Sequence, residues 1–484
     1  MFRQLLDAGD MHERSVTIFP SITPAATTSI ITGAYPAEHG IAGASWYDQA
    51  REEVAYYGDD FWVIAREGFG QFVRDFLLRL NGDRLLAPTL FEMVERAGRS
   101  AACLNYLVFR GIYPHQADIP KLIAALPGVP LNETVEGPSL LCLGDFVSAH
   151  PGRGRAPEAG GGPFRRFGMD DVSTGELLCE LMARGSTPDF TVAYFADNDY
   201  RSHRVGPVKA LPVVEDVDRM LGRAFDAGGG ISKVLADTVV IVTSDHGHCD
   251  VLDDDSAEVR LDLLLREFRQ AKLGGGAWRA RDEIMICPNM RAAQIYLRDP
   301  APSLAQRVID TLLVDPRIDQ VMWRSALTRP GEDSYTVATG RGMLEFSRDA
   351  TSGTAGIDAF SNAWTWHGDP EALSVQQDGR SIGFGEYPNA FERIAGALDL
   401  EKTGELWATA RPGSEFEAPG GDAHIGGASH GALHALDSFC PVIIAGGGPR
   451  WHLPTHMRSI DIAPLCMEIL GIPMRYRPGD GRNR

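Results

Sequence analysis

Thr17-Ile-Phe-Pro-Ser-Ile-Thr-Pro-Ala-Ala-Thr-Thr-Ser-Ile-Ile-Thr-Gly33 reads as a strand end, a tight turn and a helix start. Thr17, Ile18 and Phe19 are strand formers, and Pro20 stops them. Thr23 is placed as an N-cap, with Pro24 at the first helical position, where a missing N–H costs nothing. Ala25 to Thr32 continue as a short helix, and Gly33 suits its C-terminal end. The Thr23 hydroxyl therefore sits beside free N–H groups that favour an anion. It can cap the helix, or it can attack a phosphorus atom. This stretch taken alone favours the cap.

Further along, three polar motifs follow strand-like segments. Phe190-Thr-Val-Ala-Tyr-Phe195 runs into Asp199-Tyr-Arg-Ser-His203, where Asp199 and His203 would share one helical face. Thr238-Val-Val-Ile-Val-Thr243 is a continuous β-branched run, typical of a central parallel strand covered on both faces. It leads directly into Asp245-His246. Ser429-His430-Gly431 lies in a small-residue loop shortly before Cys440-Pro-Val-Ile-Ile-Ala445, another buried-type strand. Apolar residues at helical spacing from Val213 to Phe225 separate two of these strands. Strand, helix, strand with polar residues at the strand ends predicts an α/β fold that binds ligand at the carboxyl ends of its strands.

Each motif alone has an ordinary explanation. An Asp and a His four residues apart form surface salt bridges, and Asp-His pairs cap helices. Together, Asp199, His203, Asp245, His246 and His430 supply five N/O ligands, and Thr23 supplies a hydroxyl at a helix N-terminus. That is what a two-metal phosphoryl-transfer site needs.

The net charge of −19 in 484 residues disfavours nonspecific nucleic-acid binding and docking on anionic lipid. An acidic protein that handles phosphate needs local cations, which bound metal would provide. Seven scattered Cys without a CxxC argue against a disulfide framework and for a reducing, cytoplasmic setting. No run approaches a membrane span. The helix signal Thr89-Leu-Phe-Glu92 carries a capping box, and Ser100 to Val108 reads as the strand that follows. The loop 151–168 is rich in Gly and Arg and reads as solvated surface. Between 272 and 380 the character changes, with Gly-Gly-Gly, a strand at Gln294–Leu297, a helix at Ser303–Leu313 and the Trp-rich Ser361–Trp366. The chain thus divides into a catalytic core at 1–271 and 381–484 and an inserted cap at 272–380. A helix near Ala390–Leu398 and a last one from Ser459 to Leu470, closed by Gly471, complete the core.

In order, spacing and residue identity the chain resembles the alkaline phosphatase superfamily, in particular its type I phosphodiesterase/nucleotide pyrophosphatase branch. Phe19-Pro-Ser-Ile-Thr23-Pro, Ser29-Ile-Ile-Thr-Gly33, Tyr35-Pro36 and His39-Gly-Ile41 are similar to the nucleophile motif. Asp199, His203 and Gly206-Pro207 are similar to the Asp…His…Gly-Pro motif, and Ser244-Asp-His-Gly247 and Ser429-His-Gly431 match the remaining two. Ile460-Asp-Ile-Ala-Pro464 looks like the closing helix. The resemblance implies a mostly parallel central sheet with helices on both faces. It implies two divalent ions, zinc foremost. Asp199, His203 and His430 would hold one, Asp245 and His246 the other, and Thr23 would be nucleophile and ligand. The implied activity is hydrolysis of phosphodiester or pyrophosphate bonds of a small-molecule substrate through a phospho-threonine. Monoester or phosphonate hydrolysis stands as the alternative within the same site, and the residues after Thr23 do not give a sulfatase's spacing.

Three positions depart from the branch. Its further metal-ligand Asp belongs to a first strand upstream of the nucleophile, and the twenty-two residues before Thr23 read as a helix fragment without that strand. Asp7 and Asp10 do not stand at a strand end. Either the natural chain starts further upstream, which the in-frame codons before Met1 would test, or the protein is an impaired or inactive homologue. Ala44 stands where the branch has an Asn that binds a phosphoryl oxygen, which puts nucleotide diester hydrolysis in doubt. Arg201 lies between Asp199 and His203, where small residues are common. Of the other histidines, His39 reads as structural, His248, His424 and His434 as partners behind the ligands, and His424 also as a rival to His430. His367 could line a pocket, but packing is the expected role of the Trp cluster beside it.

Overall fold

The computed structural model describes the chain except for residues 59–63, 65–67, 150–158, 273–277, 349–352, 418–422, 449–450 and 475–484. A short helix, Phe2–Ala8, leads into strand β1, Gly9–Val16. The strand expected at Thr17–Phe19 therefore lies one step earlier in the chain, and the reading of the twenty-two residues before Thr23 as holding no strand is corrected: β1 lies within them and carries Asp10 as its second residue. Thr17 is held in place instead by its hydroxyl, which donates to the Asp245 carbonyl at 2.5 Å. Helix α1, Thr23–Thr32, follows and ends at Gly33 with φ 70°, a left-handed conformation that glycine adopts freely. Its N-cap is Ile22, in an extended conformation, and not Thr23.

Strand β2, Phe190–Ala193, ends before helix α2, Asp197–Val205. Pro207–Ala227 then forms the long amphipathic helix expected there and buries Ala210, Met220, Leu221, Ala224 and Phe225. Strand β3, Val239–Thr243, precedes the Asp245-His246 turn, and strand β4, Phe439–Gly446, lies near the chain's end. β4 runs between β1 and β3 and is antiparallel to both, with Ile444 opposite Asp10 on one side and Ile241 on the other. A second sheet orders Val147–Ala149, Leu140–Leu143, Ala101–Leu104 and β2, with parallel pairing of Ala101–Leu104 to both of its neighbours. The capping box at Thr89 and Glu92 forms as expected and sets the helix Leu90–Arg96 ahead of this sheet. The Ser100–Val108 strand is shorter than expected because Asn105 turns the chain with φ 60°.

The expectation of a mostly parallel sheet is thus corrected: the described sheets are mixed, with antiparallel pairing prevailing. The apolar run of β3 does not distinguish the two, since side-chain alternation is the same in both pairings. Among the described residues β2 and β3 each stand at a sheet edge, and both are half-buried along their length.

A ten-stranded sheet runs from Ile284–Asn289 to Val375–Asp378 and takes in Leu406–Ala410 between two of the strands from residues 292–324. On one part of it Phe346, Trp364, Trp366 and Phe391 pack together, with Phe346 and Phe391 stacked at 4.1 Å. The Trp cluster is therefore core. Each fully buried side chain of this kind contributes roughly 1.5–3 kcal/mol through burial. The Gly-Gly-Gly at 274–276 lies outside the described residues, as does part of the glycine-rich loop at 419–431 and part of the arginine-rich loop at 151–168. The described end of that last loop places Arg165 on Asp170 and Arg166 on Asp197.

Candidate active site

Three chain segments carry the predicted Asp and His residues to one place. Helix α2 carries Asp199 in its first turn and His203 one turn later, so both face the same way. The turn after β3 carries Asp245 and His246, and the short strand Ala428–Ser429 sets His430. That strand pairs antiparallel with Cys249–Asp250, which ties the second and third segments together. Gly427 permits the approach of α2: a Cβ there would lie 1.9 Å from the His203 carbonyl oxygen.

The imidazoles meet around Asp199. His203 Nε2 and His430 Nε2 each lie 3.4 Å from Asp199 Oδ1, and His248 Nε2 lies 2.9 Å from it. One donor atom from each of these four residues falls within 4.8 Å of the others. The far nitrogens are fixed by backbone. His203 Nδ1 donates to the Ala428 carbonyl at 2.8 Å, and His430 Nδ1 donates to the Ser21 carbonyl at 2.9 Å. In the neutral form of each ring Nε2 is thereby left as the lone-pair atom facing the carboxylate. His246 stacks on His430 at 3.6 Å, and His246 Nε2 lies 3.0 Å from Thr23 Oγ1.

Thr23 is the first residue of α1 and makes no capping bond. Its hydroxyl is therefore free of the role that the stretch alone favoured, and it points at the histidine cluster. Of the N–H groups expected beside it, that of Ala26 is taken by the Ile22 carbonyl at 2.9 Å.

The electrostatics suit a cation. His203 Nε2, His430 Nε2 and Asp245 Oδ2 are buried and make no hydrogen bond among the described residues. Such atoms are rare unless something else satisfies them. Burial works against charge on Asp199, yet His203 beside it holds the carboxyl well below its ordinary value. Burial likewise opposes charge on His203, but Asp199 lifts it to about 9. Burial and the neighbouring Asp199 push Asp245 up to about 7, and burial pushes His246 and His430 down to about 3. The Asp199 carboxylate and the neutral imidazoles of His246 and His430 fit a divalent ion of the zinc type, and such an ion would displace the proton that Asp199 otherwise favours on His203. Asp199, His203, His248 and His430 could hold one such ion, and Asp245, His246 and Thr23 form a second donor set beside it.

His248 was expected behind the ligands and instead belongs to the four-residue group. The signal for it was in plain view: His248 stands two residues beyond His246, on the same strand-end turn. His424 stacks on His203 at 4.1 Å and its Nδ1 meets Glu415 at 2.9 Å. His434 accepts the Leu436 N–H and starts a helical turn. His39 is buried against Ser29 at 3.1 Å, as its structural reading required. His367 is exposed on the ten-stranded sheet beside Glu345, and Arg201 is exposed on α2. Ala44 donates its N–H to Asn289 Oδ1 at 2.7 Å, as Ser45 does at 3.0 Å. Asn289 Nδ2 in turn donates to the Ser45 and Cys287 carbonyls, so this amide braces the loop around Ala44. No described helix is long and apolar enough to cross a membrane, and all seven cysteines are unbridged.

Comparison with known proteins gives the family and the fold. Residues 1–316 match the family model of type I phosphodiesterase / nucleotide pyrophosphatase. A 2,3-bisphosphoglycerate-independent phosphoglycerate mutase of Cereibacter sphaeroides is 25% identical over 249 residues, 45% of this chain and 46% of that protein. The chain thus spans about half the length of the curated relative it matches. Among solved structures, murine ectonucleotide pyrophosphatase/phosphodiesterase 5, as an inactive form in complex with AMP, superposes with a TM-score of 0.56 at 14% identity. That match covers 98% of this chain and 89% of the other. Phosphonoacetate hydrolase of Sinorhizobium meliloti in complex with phosphonoformate gives 0.53 at 16% identity, over 97% and 89%. At such identities the likeness is one of fold, and the family model extends over most of the chain. This chain belongs to the type I phosphodiesterase / nucleotide pyrophosphatase family.

Proposed function

We propose that the protein is a metal-dependent hydrolase of phosphoric esters, cleaving phosphodiester or pyrophosphate bonds of a small molecule through a phospho-threonine at a two-zinc site. In this reading Asp199, His203 and His430 hold one ion, and Asp245, His246 and Thr23 hold the other. The observation that carries it is the Thr23 hydroxyl, uncapped and 3.0 Å from His246 Nε2, beside three buried donor atoms that lack hydrogen-bond partners.

When bound, the ions would lower the proton affinity of the Thr23 hydroxyl and draw charge from the leaving oxygen. Thr23 Oγ1 attacks phosphorus in line, and the ester oxygen leaves on the opposite side. Water then attacks the phospho-threonine and returns the Thr23 hydroxyl. His246 Nε2 and Thr23 Oγ1, 3.0 Å apart, would face the same ion, while the backbone carbonyls of Gly247, Ala428 and Ser21 keep His246, His203 and His430 in the tautomer that offers Nε2. We further assign the core to residues 1–271 and 381–484 and a cap to 272–380, the core segment lending Ser381–Phe384 and Leu406–Ala410 to the sheet of the cap, and place the enzyme in a reducing, cytoplasmic compartment in keeping with its unbridged cysteines.

A phosphonate hydrolase is the second reading, because Ala44 counts against nucleotide diesters. This side chain has no hydrogen-bond donor for a phosphoryl oxygen, and its own N–H is engaged by Asn289. Metal content and turnover test both readings. Two zinc per chain with chelator-sensitive cleavage of an aryl phosphodiester supports the first. Turnover of phosphonoacetate with none of the diester selects the second, and no turnover of either by zinc-loaded protein contradicts both.

A further inference from the structure

Behind the histidines lies a carboxylate that the chemistry above does not use. Glu415 is 2% exposed, on the short strand Glu415–Phe416, which pairs parallel with Glu258–Val259. Its two oxygens accept four hydrogen bonds or ring contacts from one loop. His424 N–H donates to Oε2 at 2.9 Å, His424 Nδ1 meets Oε1 and Oε2 at 2.9 and 3.1 Å, and Ser429 Oγ donates to Oε1 at 2.9 Å. Burial works against a charge here, but these donors keep the carboxyl below its ordinary value.

Both ends of that loop act on the site. At one end the His424 ring lies flat on His203, 4.1 Å between centres with 27° between planes. At the other, Ser429 immediately precedes His430. Between them, the Ala428 carbonyl fixes His203 Nδ1 at 2.8 Å. One anion therefore holds the loop that sets the orientation of two imidazoles from different segments of the chain. It touches neither Asp245 nor His246 in any described contact.

We propose that Glu415 is a positioning residue that presents His203 and His430 together to a single cation. This rests on the two-ion reading above and adds to it a selective role: loss of Glu415 loosens the ion at Asp199, His203 and His430 and spares the one at Asp245, His246 and Thr23.

The test is zinc titration of the full chain against a chromophoric chelator, for the wild type and for Glu415→Gln. Gln keeps the size but loses the charge and replaces one acceptor oxygen with an NH2 group, so it cannot accept from the His424 N–H as well as from His424 Nδ1 and Ser429 Oγ. The expected result is one zinc weakened about 10- to 100-fold, the usual effect of removing a group that orients a metal ligand, and the second unchanged. A general structural defect would weaken both ions, and so would not mimic this. Ser429→Ala and His424→Phe each remove one arm and keep the packing, so they serve if Glu415→Gln fails to fold. Each is expected to weaken the same single ion by a smaller factor. Two zinc bound with unchanged affinity in these variants overturns the role of Glu415 alone, as does equal weakening of both ions. A wild-type chain that binds no zinc overturns this role together with the reading beneath it.

Discussion

The two halves of the site are built differently. Asp199, His203, His248 and His430 converge within 4.8 Å, and two of the imidazoles are oriented by backbone carbonyls. Thr23, Asp245 and His246 come from the start of α1 and the turn after β3, and a single 3.0 Å contact joins hydroxyl to imidazole. The first half is a preformed donor cluster. The second half is held through strand and helix ends, with Thr17 Oγ1 bonded to the Asp245 carbonyl as its main cross-link. In the function proposed above, the contrast sets a convergent cluster of donor atoms in the first half against the attacking hydroxyl in the second.

Substitutions should separate the halves. Asp199→Ala removes the carboxylate on which three imidazoles converge, and is expected to abolish metal binding at that half and lower turnover on the order of 10⁴-fold; metal analysis beside steady-state kinetics checks it. Full turnover in that variant would make the cluster structural. His246→Ala leaves the cluster in place but frees Thr23, so turnover should fall roughly 10²- to 10³-fold while one ion per chain stays bound.

Two further substitutions act on the frame and not on the chemistry. Trp364→Ala empties a buried site against Phe346 and Phe391 and should cost about 3–5 kcal/mol in urea unfolding, with turnover per folded molecule unchanged. The smallest effect concerns pH. Burial lowers His39 from 6.5 to about 3, so the folded chain disfavours its charged form. The stability that its neutral form contributes is complete above pH 6.5 and is lost as the pH falls toward 3. His39→Asn should flatten that part of the acid-denaturation curve, measured by circular dichroism, and an unchanged curve would place the acid sensitivity elsewhere.

The residues of the site were legible where a local pattern fixed them. Asp245 and His246 follow a β-branched run that can only be a strand, and Asp199 and His203 are one helical turn apart. Thr23 was legible as a residue but not as a conformation, because Thr-Pro suggests a cap and only the position of His246 shows the hydroxyl turned away. β1 was not legible: Gly9-Asp-Met-His-Glu-Arg-Ser-Val16 has three charged side chains and takes its strand form from pairing with the apolar β4, more than 400 residues later. Nor was the direction of pairing of β3, which depends on its neighbour and not on its own side chains. Glu415 had no local signal, since what gives it meaning is a loop that folds back onto it and a helix from another segment.

The central claim is that Thr23 is the atom donor to phosphorus. Rapid quenching of zinc-loaded protein during turnover of an aryl phosphodiester, followed by peptide mass spectrometry, tests it directly. The account predicts a phosphoryl adduct on the peptide containing Thr23 in the wild type, and in Thr23→Ala no adduct and a loss of turnover on the order of 10⁴-fold or more. Turnover at the wild-type rate in Thr23→Ala, with no adduct on that peptide in either protein, would contradict it.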